Sequence, residues 1–138
     1  MNTDQLQELC ETIAIKAMNG GNLAGMVFRH DDTAMKNESD CVIVEADGPV
    51  PQLEGPQGFR VEVEIEIRST TPGKNAIMAA LCLQRITNKP ALLAAALGAG
   101  LTTEDDFYII DEEISGGRTQ TKNMRKRSIK VPFWINPK

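Results

Sequence analysis

Glu62, Glu64 and Glu66 form a regularly spaced row of potentially reactive side chains in this 138-residue sequence. A row of carboxylates could share protons, hold cations or do acid–base work. Their two-residue spacing puts all three on one face of a β-strand, where a solvated or interface surface is the simpler role. His30-Asp31-Asp32 contains the one histidine of the chain. Adjacent residues rarely converge on one ion and no second histidine can join them, so the cluster reads as a surface loop and not as a metal site. Pro72-Gly73-Lys74-Asn75 has the outline of a phosphate loop. Its first glycine is missing, and Asn75 stands where a Ser or Thr would hold magnesium. Cys10, Cys41 and Cys82 each sit in an apolar run, with no ligand spacing between them, which predicts small buried hydrophobes with reduced thiols, as in a cytosolic setting. No Gly-x-Ser-x-Gly elbow occurs. The expectation is a protein without catalytic residues, bound metal or cofactor.

Charge is the remaining chemical signal. The net charge is −4, yet all 19 acidic residues precede Arg118. There they meet eight basic ones, giving −11, whereas residues 118–138 hold seven basic residues and no acidic one, giving +7. Arg118, Lys122, Arg125, Lys126, Arg127 and Lys130 could touch phosphates, with the steep salt dependence of counterion release. No aromatic platform interleaves with them, as single-strand stacking would need. Internal complementarity explains the basic segment as well, because Lys126, Ser128 and Lys130 share one strand face just as the three glutamates do.

The elements that must position these residues follow from periodicity. Phe59–Arg68 alternates apolar and charged residues without a break, which predicts a strand with one buried face. Thr3, as N-cap, and Asp4 start a helix running to about Met18, with Leu6, Leu9, Cys10, Ile13 and Ala17 as its apolar stripe. Met26–Phe28 reads as a short strand, and Cys41–Val44 as a central strand covered on both faces. Residues 47–58 contain three prolines and three glycines, which predicts a long loop where regular pairing stops. Thr71 caps and Pro72 opens a helix to about Thr87, with Ile77, Ala80, Leu81 and Gln84 as a stripe that Leu83 and Ile86 widen. Ala91–Leu97 is a short alanine-rich helix. Phe107–Ile114 and Met124–Phe133 are the last strands, separated by a Ser115-Gly116-Gly117 turn. The whole predicts one α+β domain over residues 1–138: a mainly antiparallel sheet of four to five strands, covered on one face by two main helices and a short one. No stretch reaches the roughly 20 apolar residues of a membrane span, so a soluble intracellular product with no membrane partner is expected.

In this order and polarity of elements the chain resembles the tail terminator (tail completion) proteins of long-tailed bacteriophages and gene transfer agents. The likeness runs from the helix at Thr3–Met18 through Val42-Ile43-Val44 and the long loop. It continues through Phe59–Arg68 into the Ser-Thr-Thr-Pro start and Ala76–Leu81, and closes with Phe107–Ile110, the Gly-Gly turn and the final strand. The resemblance implies a non-enzymatic protein of the virion tail neck, assembled in the host cytoplasm. Six copies would form a ring that caps the tail tube, ends its polymerisation and joins a head-side connector protein, while DNA passes the lumen without specific binding. On this reading Glu62, Glu64, Glu66, Lys126 and Lys130 lie at the lumen or a subunit interface. Contacts to neighbouring rings would come from Asp47, Val50, Gln52, Leu53, Glu54 and Gln57 on the loop, and from Arg118, Gln120, Lys122 and Arg125. A head-completion or stopper subunit, or a small cytoplasmic DNA-binding module using the basic segment, are the alternatives.

Overall fold

The computed structural model describes residues 2–32, 40–51, 58–101, 107–121 and 124–136. Helix α1 (Thr3–Met18) is followed by β1 (Val27–Arg29), β2 (Cys41–Pro51) and β3 (Phe59–Ser69). Helices α2 (Pro72–Ile86) and α3 (Lys89–Gly98) come next, then β4 (Phe107–Ile109), β5 (Ser115–Thr121) and β6 (Met124–Ile135). The strands form one sheet in the order β1-β2-β3-β6-β4, with β5 also paired to β6. Only β1–β2 is parallel; the other pairings are antiparallel. The α+β architecture expected from the sequence is therefore the one observed.

The alternating strand β3 lies at the middle of the sheet, and its pattern is why. Val61, Val63, Ile65 and Ile67 are fully buried, while Glu62, Glu64, Glu66 and Arg68 are half-buried on the other face. Burying one such aliphatic side chain stabilises by about 1.5–3 kcal/mol, enough to fix both register and facing. Opposite them on β6, Ile129, Val131, Phe133 and Ile135 complete the same apolar layer. Helix α1 lies over β1 to β3 and α2 over β3 and β6. One core forms between sheet and helices from Leu6, Cys10, Ile13, Val42, Val44, Met78, Cys82, Ile86 and Leu92 with the strand residues.

Helix starts follow the capping chemistry with small shifts. Asn2, not Thr3, caps α1, its side chain accepting from the Gln5 N–H while the Gln5 side chain accepts from the Asn2 N–H. An Asn two carbons from its amide oxygen satisfies that geometry as well as a threonine does. Thr71 caps α2 and Pro72 opens it, and Asn88 caps α3.

Four expectations need correction. The buried stripe of α2 is Asn75, Met78, Ala79, Cys82 and Ile86, whereas Ile77 is 63% exposed, Leu83 is 41% exposed, and Ala80 and Gln84 are also exposed. The period was right and the phase was not. Asn75 donates to the Ile67 carbonyl at 3.1 Å, pinning the first turn to β3, and small residues then let the helix lie close to the sheet. Pairing does not stop at Asp47: β2 continues to Pro51, opposite Phe59, across a bulge in which three steps on β2 match two on β3. A bulge absorbs the extra residue without ending the ladder. Residues 52–57 of the expected loop lie outside the described residues. The strand from Phe107 ends at Ile109, and Asp111–Glu113 forms a 3-10 turn. Finally, Ser115–Thr121 is a strand and not a turn with a loop, pairing with β6 from Lys130 back to Met124. Gly116 and Gly117 are compatible with extended backbone, and with β5 the sheet has six strands.

Candidate functional site

The sheet face away from the helices holds the glutamate row. On one side β2 sets Glu45 opposite Glu64 and Asp47 opposite Glu62, like charges that cost stability when directly apposed. On the other side β6 sets Lys130 opposite Glu64, Ser128 opposite Glu66 and Lys126 opposite Arg68. The ion pairs form along diagonals instead: Lys126–Glu66 at 3.9 Å and Lys130–Glu62 at 4.0 Å. Arg68 lies 2.9 Å from Glu66, and Arg60 bridges Glu62 at 3.7 Å and Glu113 at 3.6 Å. Half-exposed pairs of this kind contribute about 0–1 kcal/mol each. The structure thus brings Glu62, Glu66, Lys126 and Lys130 together. Glu64 has no ion pair within 4.0 Å among the described residues, which leaves Glu64 and Glu45 as the acidic centre of the face.

Both ends of this face are closed by apolar groups outside the main core. Trp134 is 4% exposed and stacks on Tyr108 with centroids 4.9 Å apart and planes 16° from parallel. Gly58 lies so close beneath it that a Cβ there would sit 2.7 Å from the indole. At the other end Cys41 and Ile43 are buried.

The two hairpin ends that flank the proposed contact loops point in opposite directions. Pro51 and Phe59, bordering residues 52–57, lie beside Ile135; Thr121 and Met124, bordering residues 122–123, lie beyond the Ser69–Arg125 pair. The 11 residues of β3 between those ends span roughly 35 Å at about 3.3 Å per residue. Among the expected contact residues, Asp47 accepts from the N–H of Gly48, the next residue in the chain, at 2.9 Å. Val50 pairs with Arg60, while Arg118 and Gln120 lie in β5 opposite Arg127 and Arg125. Gln52, Leu53, Glu54, Gln57 and Lys122 lie outside the described residues.

A buried carboxylate that the sequence reading missed organises the β1 edge. Glu11 is 2% exposed. Its Oε2 accepts the Ala46 N–H at 2.9 Å and lies 3.3 Å from His30 Nε2, while its Oε1 receives Arg29 Nη2 at 3.1 Å. Arg29 also reaches Glu8 at 3.3 Å and Asp31 at 3.7 Å. The signal was present: Glu11, Ala14 and Met18 share a helical stripe, so a carboxylate at 11 faces inward. His30-Asp31-Asp32 accordingly serves an ion-pair network on α1. No group of three or more His, Cys, Asp or Glu suited to a metal ion occurs among the described residues.

The remaining chemistry-bearing positions are structural. All three cysteines are buried. Burial pushes the Cys10 thiol up to about 12, with Glu11 adding to the effect, and burial pushes Cys82 to about 12. Such thiols are poor nucleophiles. Lys74, on the would-be phosphate loop, pairs with Asp40, which also accepts the Thr70 N–H. No helix among the described residues is long and apolar enough to cross a membrane.

No protein-family model matches the sequence, and no curated protein matches it. Among solved structures, the fold is similar to a chain in "Virion of native gene transfer agent (GTA) particle". The TM-score is 0.59 at 11% identity, over 99% of this chain and 100% of that one. At that identity the likeness is one of fold, and it extends end to end over both chains.

Proposed function

We propose that this chain is a non-enzymatic structural protein of a phage or gene transfer agent virion. In this reading it forms a ring of six copies in the tail neck. The ring caps the tail tube, ends its polymerisation and joins it to the head-side connector protein. The observation that carries the reading is the end-to-end fold likeness to a chain of a gene transfer agent particle, which agrees with the resemblance drawn from the order of elements. The geometry supports it. With the strands along the ring axis, the hairpin end at Pro51 and Phe59 would face one neighbouring ring and that at Thr121 and Met124 the other. Two different ends make two different ring faces, and a face that no tube subunit can extend is what stops growth. The open sheet face, acidic at Glu64 and Glu45, would line the hole and repel phosphate, letting DNA slide through unbound.

The test is negative-stain imaging of the purified protein, alone and added to polymerising tube protein. Six-fold rings that arrest tube length support the reading. Rings that leave tube length unchanged favour a stopper or head-completion subunit. Persistent monomers that bind duplex DNA with a steep salt dependence would replace it with the DNA-binding module. Converting Glu62, Glu64 and Glu66 together to lysine tests the face: unchanged ring assembly and unchanged tail joining would remove these residues from the mechanism.

A further inference from the structure

Strand β5 is an open edge of a kind that the opposite margin of the sheet is not. It pairs with β6 and with no other strand among the described residues. Its register with β6 is unbroken over all seven residues, so the amides and carbonyls that point away from β6 form one regular row. Proteins blunt such an edge with proline, a bulge, short length or several charges. The β5 segment has no proline and no bulge, and Arg118 is its one charged residue. Gly116 and Gly117 keep the backbone approachable, and glycine inside a strand often marks a place where another backbone comes close. The β1 margin is blunt by comparison: it is three residues long, and the Arg29 carbonyl already accepts the Asp32 N–H at 3.0 Å.

Beside the open edge, on the helix side of the sheet, a groove of about 360 Å³ runs between α2 and the β5–β6 hairpin. Ala76, Ala79, Ala80 and Leu83 line it from the helix, Gly116 and Arg127 from the strands. Arg127 Nε is buried without a hydrogen-bond partner among the described residues. The register also sets Arg118 directly opposite Arg127, a like-charge apposition that a nearby carboxylate would relieve.

We infer that β5 receives a strand from another polypeptide, an extended segment that alternates apolar and polar residues and brings a carboxylate to Arg127. Main-chain hydrogen bonds give an added strand its hold, and its alternate side chains give it specificity. Those on the groove face meet alanine, leucine and the Arg127 guanidinium, so that face is apolar with one Asp or Glu. The other face continues the polar open face of the sheet. A strand beside β5 lies two inter-strand spacings, about 10 Å, from β6, within reach of Arg127 for a glutamate side chain. A second copy of this chain fits less well. Pairing all seven residues of β5 with themselves about a two-fold axis centres on Arg118 and opposes it to itself, again like against like. Nucleic acid would answer the charge and leave the apolar wall uncovered. The inference stands apart from the ring reading, since it concerns a sheet edge and not the hairpin ends that would face neighbouring rings.

The experiment selects a displayed library of short random peptides on the purified full-length protein, then titrates synthetic copies of the enriched sequences by calorimetry. Enriched peptides should alternate apolar and polar residues and carry one Asp or Glu on the apolar face. Arg127→Met, which keeps most of the side-chain volume, should weaken their binding by roughly tenfold to a hundredfold, the range of a hydrogen bond to a charged group. Changing the peptide carboxylate to its amide should cost the same, with no further loss when both changes are combined. Ala80→Glu, at an exposed groove position, should abolish binding and guards against a folding defect at Arg127; circular dichroism checks both variants. N-methylation of alternate peptide amides should abolish binding in one phase and spare it in the other, because an added strand turns only every second amide to the edge. A library with no enriched peptide, binding unchanged in both variants, or equal tolerance of both N-methyl phases would overturn the inference. So would self-association or DNA binding that disappears in Arg127→Met and Ala80→Glu while no peptide is enriched, which would give the groove to a second copy or to nucleic acid.

Discussion

Replacing Glu11 by alanine should cost about 3 kcal/mol of folding stability. The Ala46 N–H, which donates to Glu11 at 2.9 Å in a buried setting, would lose its acceptor, and an orphaned buried donor costs about 1–3 kcal/mol. Breaking a fully buried ion pair costs about 3–5 kcal/mol. Arg29 is one-third exposed and keeps Glu8 and Asp31, so that loss falls well below the range, near 1 kcal/mol. Alanine returns about 0.5 kcal/mol of helix propensity. Urea unfolding with a slope of about 2 kcal/mol/M would register the sum as a midpoint lowered by about 1.5 M. Glu11→Gln keeps one oxygen for the Ala46 amide and loses only the charge, so it should cost about half as much. Glu8→Ala, at an exposed position, should cost under about 1 kcal/mol. A Glu11→Ala midpoint within about 0.3 M of wild type would refute the claim that this carboxylate holds α1 to β1 and β2.

Gly58→Ala should destabilise by about 1–3 kcal/mol by overpacking and alter tryptophan fluorescence, since its Cβ would meet Trp134 at 2.7 Å and the Ile135 carbonyl at 2.9 Å. Tyr108→Ala removes a stacked partner worth about 0.5–1.5 kcal/mol beyond its buried area, measurable by thermal unfolding. Asn75→Ala should cost about 0.5–1.5 kcal/mol by removing the buried bond to the Ile67 carbonyl at 3.1 Å. The Asp40 carboxyl is held below its ordinary value, chiefly by the hydrogen bond from Lys74 and further by the Thr70 N–H. Its stabilising contribution is therefore present above the ordinary aspartate value of about 3.9 and is lost as pH falls below it. Acid titration of stability should consequently be shallower below pH 4 in Asp40→Asn than in wild type, and equal slopes would show that the Lys74 pair does not persist in solution.

Strong periodicity made the central strand and the α1 stripe legible in the sequence, because a one-residue slip at β3 would turn four aliphatic side chains out to water. The caps of α2 and the burial of the cysteines were legible for equally local reasons. The phase of α2 was not. Alanines at 76, 79 and 80 give no amphipathic contrast, and the rotation follows from the burial of Met78, Cys82 and Ile86 together with a bond from Asn75 to β3. Strand β5 was hidden by its glycines, which signal a turn locally yet pair regularly when β6 is already in place. The diagonal ion pairs were half legible: the shared faces followed from spacing, but the offset of Lys126 and Lys130 depends on register across strands some sixty residues apart. Glu11 was overlooked because a lone carboxylate in an apolar stripe reads as polar-face decoration until its partners on β1 and β2 are brought to it.

The position of β6 has a consequence for synthesis. It sits inside the sheet, bonded along its length to β3 on one side and to β4 and β5 on the other, although it follows all the other described elements in the chain. The sheet cannot close until translation reaches it, since β3 has its apolar row unpaired on one side until then. Chains cut short before β6 lack Ile129, Val131, Phe133 and Ile135, the residues that extend the apolar row of β3. Products that stop short of β6 therefore leave the apolar row of β3 open on one side and fail to complete the fold.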